Sequence, residues 1–303
     1  MIEFKRVLCA VDLSEASVRT LAYAGAIAKW YDAHLTALHV VPTFDPVEVR
    51  AGALFDPVRI VQPMPLDEVL DELRTALEAA GLAADEATLS AEAGPAAETI
   101  VDQSVAGDAD LLVVGTHGRS GFNRLLLGSV AEKVLRSAPC PVLTVPPHAP
   151  ASPPARVTLR HIICPIDFSP ASLQALGFAL ALARRAKASV TMLHAIEWLA
   201  DEEPRELVHF NVPEFRQHLT KSARERLVAL AAQEPDARGV AEPLVVVGRA
   251  YRQILRVAAE QGAELIVMGA LGQGGPELTT FGSTTQQVVR AAFCPVLTVH
   301  RTP

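Results

Sequence analysis

The sequence predicts an α/β fold built twice: two similar doubly wound domains, each a five-stranded parallel sheet with helices on both faces. Three observations carry this. Short apolar runs alternate with segments of helical period along the whole chain. The runs are continuous in Val, Ile and Leu, as strands are when crossover helices bury both of their faces. The pattern also occurs twice: VLCAVDLSEASVRTLAYAGAIAKWYDAHLTALHVV, Val7 to Val41, aligns without a gap on IICPIDFSPASLQALGFALALARRAKASVTMLHAI, Ile162 to Ile196. Cys9 meets Cys164, Asp12 meets Asp167, Ser14 meets Ser169 and His39 meets His194, and CPVLTV recurs at Cys140 and Cys294. A repeat of this length makes each copy a domain. The expected boundaries are 1–146 and 159–303, joined by a Pro-rich, semi-rigid linker over 147–158.

Each element has its own reason. KRVLCAVD is an apolar strand, and SEASVRTLAYAGAIAKW has helical spacing behind Ser14, a candidate N-cap. HLTALHVV is a second strand. LDEVLDELRTALEAAG is a helix closed by Gly81, with its carboxylates on a solvated face. ATLSAEAG is a weaker strand, and PAAETIVDQSVAG is a helix with Pro at its start. ADLLVVG, NRLLLGSVAEKVLRSA and CPVLTV give strand, helix and strand. The second copy supplies RHIICPID, SVTMLHAI, EPLVVVG, ELIVMG and CPVLTV as strands. After the second strand the copies differ entirely, in inserts Pro42–Pro65 and Glu197–Pro213. The two CPVLTV strands are apolar edges, so the domains are expected to pair within one chain, with a pseudo-twofold relation. Further self-association is compatible with this.

The chain has 303 residues and a net charge of −7. An acidic chain lacks the basic footprint of nonspecific nucleic-acid binding. No apolar run reaches the length of a membrane span, and the charged start MIEFKRVLCAVD does not read as a signal peptide. The expected location is the cytoplasm, with neither nucleic acid nor membrane as partner. Cys9, Cys140, Cys164 and Cys294 form no CxxC pair and sit in apolar strands. They read as buried thiols rather than metal ligands. His39 and His194, inside strands, read as structural.

The chemistry lies in GTHGRSGFNRLLLGS, Gly115 to Ser129, and GALGQGGPELTTFGS, Gly269 to Ser283. Both have the spacing G-x2-G-x9-G-S between an apolar strand and a helix. Ligands of open α/β sheets bind beyond the carboxyl ends of the strands. Glycines there admit a ligand against the backbone, and Gly128-Ser129 at a helix start offers free amides to an anion. His117, Arg119 and Arg124 add positive charge. In the second copy Leu271 and Gln273 replace the first two of these, and Glu277 adds a negative charge. The expectation is a phosphate cradle, stronger in the first copy. It matches neither G-x4-G-K-[ST] nor G-x-G-x-x-G.

AVDLSEAS, LHVV, VVGTHGRSGFNRLLLGSVAEKVL and CPVLTV resemble the universal stress protein family, and the resemblance covers both copies. It implies an adenine nucleotide alpha hydrolase-like fold and binding of ATP, with or without Mg2+. By matching position, Asp12 and Val40 would meet the adenosine end. Val114 and Gly115 would line the ribose, and Gly118, Gly128, Ser129 and Val130 would hold the phosphates, with His117 and Arg119 beside them. In the second copy Asp167, Ala195, Met268, Gly269, Gly272, Gly282, Ser283 and Thr284 stand at those places. The resemblance implies an ATP-binding regulatory protein, and no residue of the sequence is assigned a catalytic role. A slow ATPase or phosphotransferase and a nucleotide-independent scaffold are the rival readings.

Overall fold

The computed structural model describes residues 2–42, 65–116, 127–149, 159–197, 212–272 and 281–300, with 212–216 described by their backbone. The first copy forms β1 (Arg6–Val11), α1 (Glu15–Tyr31), β2 (His34–Pro42), α2 (Leu66–Ala79), β3 (Thr88–Gly94), α3 (Ala96–Ala106), β4 (Leu111–Gly115), α4 (Ser129–Ser137) and β5 (Val142–Val145). The second forms β6 (His161–Pro165), α5 (Pro170–Ala186), β7 (Ser189–Ile196), α6 (Val212–Gln233), β8 (Ala241–Val247), α7 (Ala250–Glu260), β9 (Leu265–Gly269), α8 (Ser283–Ala291) and β10 (Val296–Val299). Within each copy the five strands are parallel, in the order β3-β2-β1-β4-β5 and its counterpart β8-β7-β6-β9-β10.

The two sheets join along their last strands. β5 and β10 pair antiparallel, with Leu143 opposite Leu297, to give one ten-stranded sheet. The junction is reciprocal. The buried Thr144 hydroxyl donates to the Val296 carbonyl at 3.1 Å, and that of Thr298 donates to the Val142 carbonyl at 3.1 Å. Two apolar cores follow, one on each face of the sheet, and each draws residues from both copies. On one face Phe4 stacks on Phe178 at 6.4 Å, and Arg185 lies over the Tyr31 ring at 4.4 Å and donates to the Trp30 carbonyl.

The inserts Pro42–Pro65 and Glu197–Pro213 lie largely outside the described residues. Local signals hold with three corrections. The helix expected over NRLLLGSVAEKVLRSA starts at Ser129, with Leu127 and Gly128 outside it. Ser14 occupies the N-cap position of α1 without a cap bond from its side chain; its hydroxyl donates to Asp12 Oδ1 at 2.7 Å instead. Ser169, at the same place in the second copy, does cap, accepting from the Ser172 amide at 3.2 Å. Pro95 is the N-cap of α3 rather than its first helical residue. Gly81, at φ 78°, closes α2 as expected, and Asp67, Glu68, Asp71 and Glu72 are exposed on that helix.

All four cysteines are buried and free. Burial pushes the Cys140 thiol up to about 11 and that of Cys294 to about 12, and Cys9 and Cys164 rise further. These groups stay as thiols and fill the core. His39 Nδ1 lies 2.8 Å from the Val11 carbonyl and His194 Nδ1 2.7 Å from that of Ile166. Each therefore ties its strand to the end of the neighbouring one. Among the described residues no helix is long and apolar enough to cross a membrane.

Candidate functional site

Each first strand runs into a tight turn that turns an aspartate back on itself. Asp12 Oδ1 accepts from the Ser14 amide at 3.1 Å and from the Ser17 hydroxyl at 2.9 Å. Asp167 Oδ1 accepts from the Ser169 amide at 2.9 Å. The residue between aspartate and serine takes a left-handed conformation, Leu13 at φ 59° and Phe168 at φ 64°. A branched or bulky side chain there costs about 1 kcal/mol or more and persists where its surroundings demand it. The demand is visible: one carboxylate oxygen is committed to the turn. The other oxygen of Asp167 faces the glycine segment, since a Cβ on Gly272 would lie 2.9 Å from Oδ2.

The two ends of the second glycine segment come together in space. The Gly282 amide donates to the Ala270 carbonyl at 2.9 Å, and a Cβ on Gly282 would stand 3.6 Å from the Gly272 nitrogen. The Thr285 hydroxyl donates to the Gly269 carbonyl at 2.9 Å. Gly269 packs against the α5 backbone so closely that a Cβ would meet Ala171 at 2.9 Å. Gly282 caps α8, whose first intrahelical amide bond runs from Gln286 to the Gly282 carbonyl. The amides of Ser283, Thr284 and Thr285 precede that bond, at the positive end of the helix dipole.

Around this segment lies a cavity of about 710 Å³ beyond the carboxyl ends of β6, β7 and β9. Asp167, Ala195, Met268, Gly269, Gly272, Gly282, Ser283 and Thr284 all line it. So do residues that sequence reasoning missed: Ile254 and Ala250 from α7, Phe281 and Gln286 flanking the helix start, and Arg136 from α4 of the other copy. The first four belong to the second copy but carry no motif. Arg136 has no sequence signal at all, because it arrives across the β5–β10 junction.

In the first copy the same frame is present. β1 ends with Ala10 opposite Val114 and Val11 opposite His39, which puts Asp12 beside Val40 and the Val114–Gly115 strand end. Gly128 caps α4 with its amide donating to the Thr116 carbonyl at 2.9 Å, and Ser129 and Val130 open the helix. His117, Gly118, Arg119 and Arg124 lie outside the described residues.

Comparison with known proteins decides the family. The family model described as "Universal stress protein family" matches residues 3–146 and again 158–300. The chain belongs to the universal stress protein family. Among curated universal stress proteins, Rv2623 of Mycobacterium tuberculosis is 31% identical over 237 residues, 76% of this chain and 74% of its own. Mb2028c of Mycobacterium bovis is 30% identical over 206 residues, so the chain spans 64% of that relative's length. A universal stress protein of Mycolicibacterium smegmatis is 27% identical over 301 residues, 97% of this chain and 96% of its own. The crystal structure of a universal stress protein from Archaeoglobus fulgidus shares the fold at a TM-score of 0.63 and 22% identity, covering 99% of this chain and 98% of its own.

Proposed function

We propose that this universal stress protein is an ATP-binding regulatory protein. In this reading residues 1–146 and 159–303 are its two nucleotide-binding domains, 147–158 is the linker, and nucleotide occupancy sets conformation or the choice of partner. One observation supports it most: the eight second-copy positions that the family resemblance assigns to a nucleotide line a single cavity. The residues fit the ligand. A Cβ on Gly272 would fill the space beside Asp167 Oδ2, and one on Gly282 would crowd the Ala270 carbonyl at 3.3 Å. Those glycines leave room for a ligand at the backbone. The amides that open α8 suit an anion, and an aspartate oxygen is an acceptor for nucleotide hydroxyl or amino groups. A cavity of this volume is in the range of small-molecule sites.

The first copy repeats the frame and adds His117, Arg119 and Arg124 in sequence, so it is the tighter site in this reading. Titration of the purified chain with ATP, with and without Mg2+, tests the proposal. Saturable binding is the expected result. No binding at millimolar ATP under either condition would overturn it.

A further inference from the structure

The second copy presents an electrostatic puzzle. Its cavity is open to an anion at the start of α8, yet residues 270–280 contain no Lys, Arg or His. Among the described residues lining the cavity there is one arginine and no lysine, and that arginine is Arg136 of the first copy. It stands in the last turn of α4. Its Nη2 donates to Glu132 Oε1 at 2.8 Å, and the same oxygen accepts from Gln286 Nε2 at 3.1 Å. Gln286 is in the first turn of α8, whose opening residues Ser283 to Thr285 also line the cavity. Arg136 is thus held at the anion end of the second copy's cavity by a carboxylate that also bridges the two copies.

We propose that Arg136 is a phosphate-binding residue of the second copy's site, supplied across the junction between the copies. This rests on the nucleotide reading above. The Arg136 and Glu132 side chains are 36% and 32% exposed, so water weakens their ion pair. A polyphosphate carries more charge than one carboxylate and matches the planar guanidinium with two parallel hydrogen bonds. On binding, Arg136 leaves Glu132 for phosphate oxygens, while Glu132 keeps its bond from Gln286. Segment 270–280 then needs no cation of its own, and occupancy of the second copy's site draws on a residue of the other copy.

The test uses the full chain carrying Gly128→Val, which fills the first copy's cradle so that the second site is read alone. In this background Arg136→Ala is expected to weaken ATP about tenfold, the loss of one charge-assisted contact, and to leave adenosine affinity unchanged. Glu132→Gln, which still accepts from Gln286 through its amide oxygen, is expected to tighten ATP by releasing Arg136. Equal weakening of ATP and adenosine in Arg136→Ala would show a structural role and overturn the proposal. So would unchanged ATP affinity, which leaves the nucleotide reading intact. A Gly128→Val chain that binds no ATP although the unmodified chain does would overturn the proposal together with the second domain's part of the nucleotide reading, and leave the first domain's. An unmodified chain that binds no ATP would overturn both.

Discussion

At the scale of single residues, the glycines divide by what a Cβ would meet. Gly128 has φ −60°, which any residue adopts, and a Cβ there would lie 3.4 Å from the Thr116 carbonyl. Gly128→Val is therefore expected to fold with little change in stability while its side chain obstructs the anion position. Calorimetry with ATP should show loss of the tighter binding event. Gly269 is the opposite case, because a Cβ would sit 2.9 Å from backbone and side-chain carbons of Ala171. Overpacking of this kind costs about 1–3 kcal/mol, so Gly269→Ala should lower the midpoint of urea unfolding. Gly177 lies within α5 with nothing near its Cβ position, and the first copy has Ala22 at the matching place. Gly177→Ala is expected to raise stability by about 0.5–1 kcal/mol, measured the same way.

At the scale of elements, the copies use equivalent segments differently. The turn after β1 spends the Ser14 hydroxyl on Asp12, whereas the turn after β6 spends Ser169 on the helix cap. Ser169→Ala should therefore cost about 1 kcal/mol of stability through the lost cap. The glycine segments diverge in charge: the first carries Arg119 and Arg124, with His117, in its sequence, whereas the second carries Glu277 and no Lys, Arg or His. Titration with ATP is expected to show two unequal sites, the tighter removed by Gly128→Val. Two equal and independent sites would contradict this asymmetry.

At the scale of the whole molecule, the β5–β10 junction makes the halves share both cores. A chain of this length packed as one body has a radius of gyration near ~19 Å, and scattering in solution should give that value rather than the larger one of two separated domains. His300 follows β10 and reaches back to the first copy, its Nε2 2.7 Å from the Leu135 carbonyl. Burial holds its imidazole below the usual histidine range, although the carbonyls of Leu135 and Cys140 work the other way. The folded form therefore prefers the neutral ring. As pH falls below about 6.5 the unfolded chain takes up the proton first, and stability declines until the folded pKa is passed. Unfolding midpoints between pH 7 and pH 5 should fall less steeply in His300→Gln than in the unmodified chain.

Much of this architecture is readable from local sequence, because strand and helix periods, the gapless alignment of Val7–Val41 on Ile162–Ile196 and the glycine spacing are local properties. Asp12, Asp167 and both glycine segments were legible as candidates for the same reason: each stands at a strand end, where an α/β sheet exposes backbone. The left-handed Leu13 and Phe168 were not legible, since neither residue type favours that conformation and only the surrounding turn imposes it. Ser14 does not cap with its side chain: its hydroxyl is turned to Asp12 Oδ1, and the Ser17 amide donates to the Ser14 carbonyl at 2.9 Å. Arg136 was hidden for a deeper reason. Its position in the second copy's cavity depends on the antiparallel contact of β5 with β10. Sequence by itself determined two α/β repeats and the makings of a cradle in each; only the tertiary structure, by burying two apolar edges against each other, decided that a side chain of one copy would line the cavity of the other.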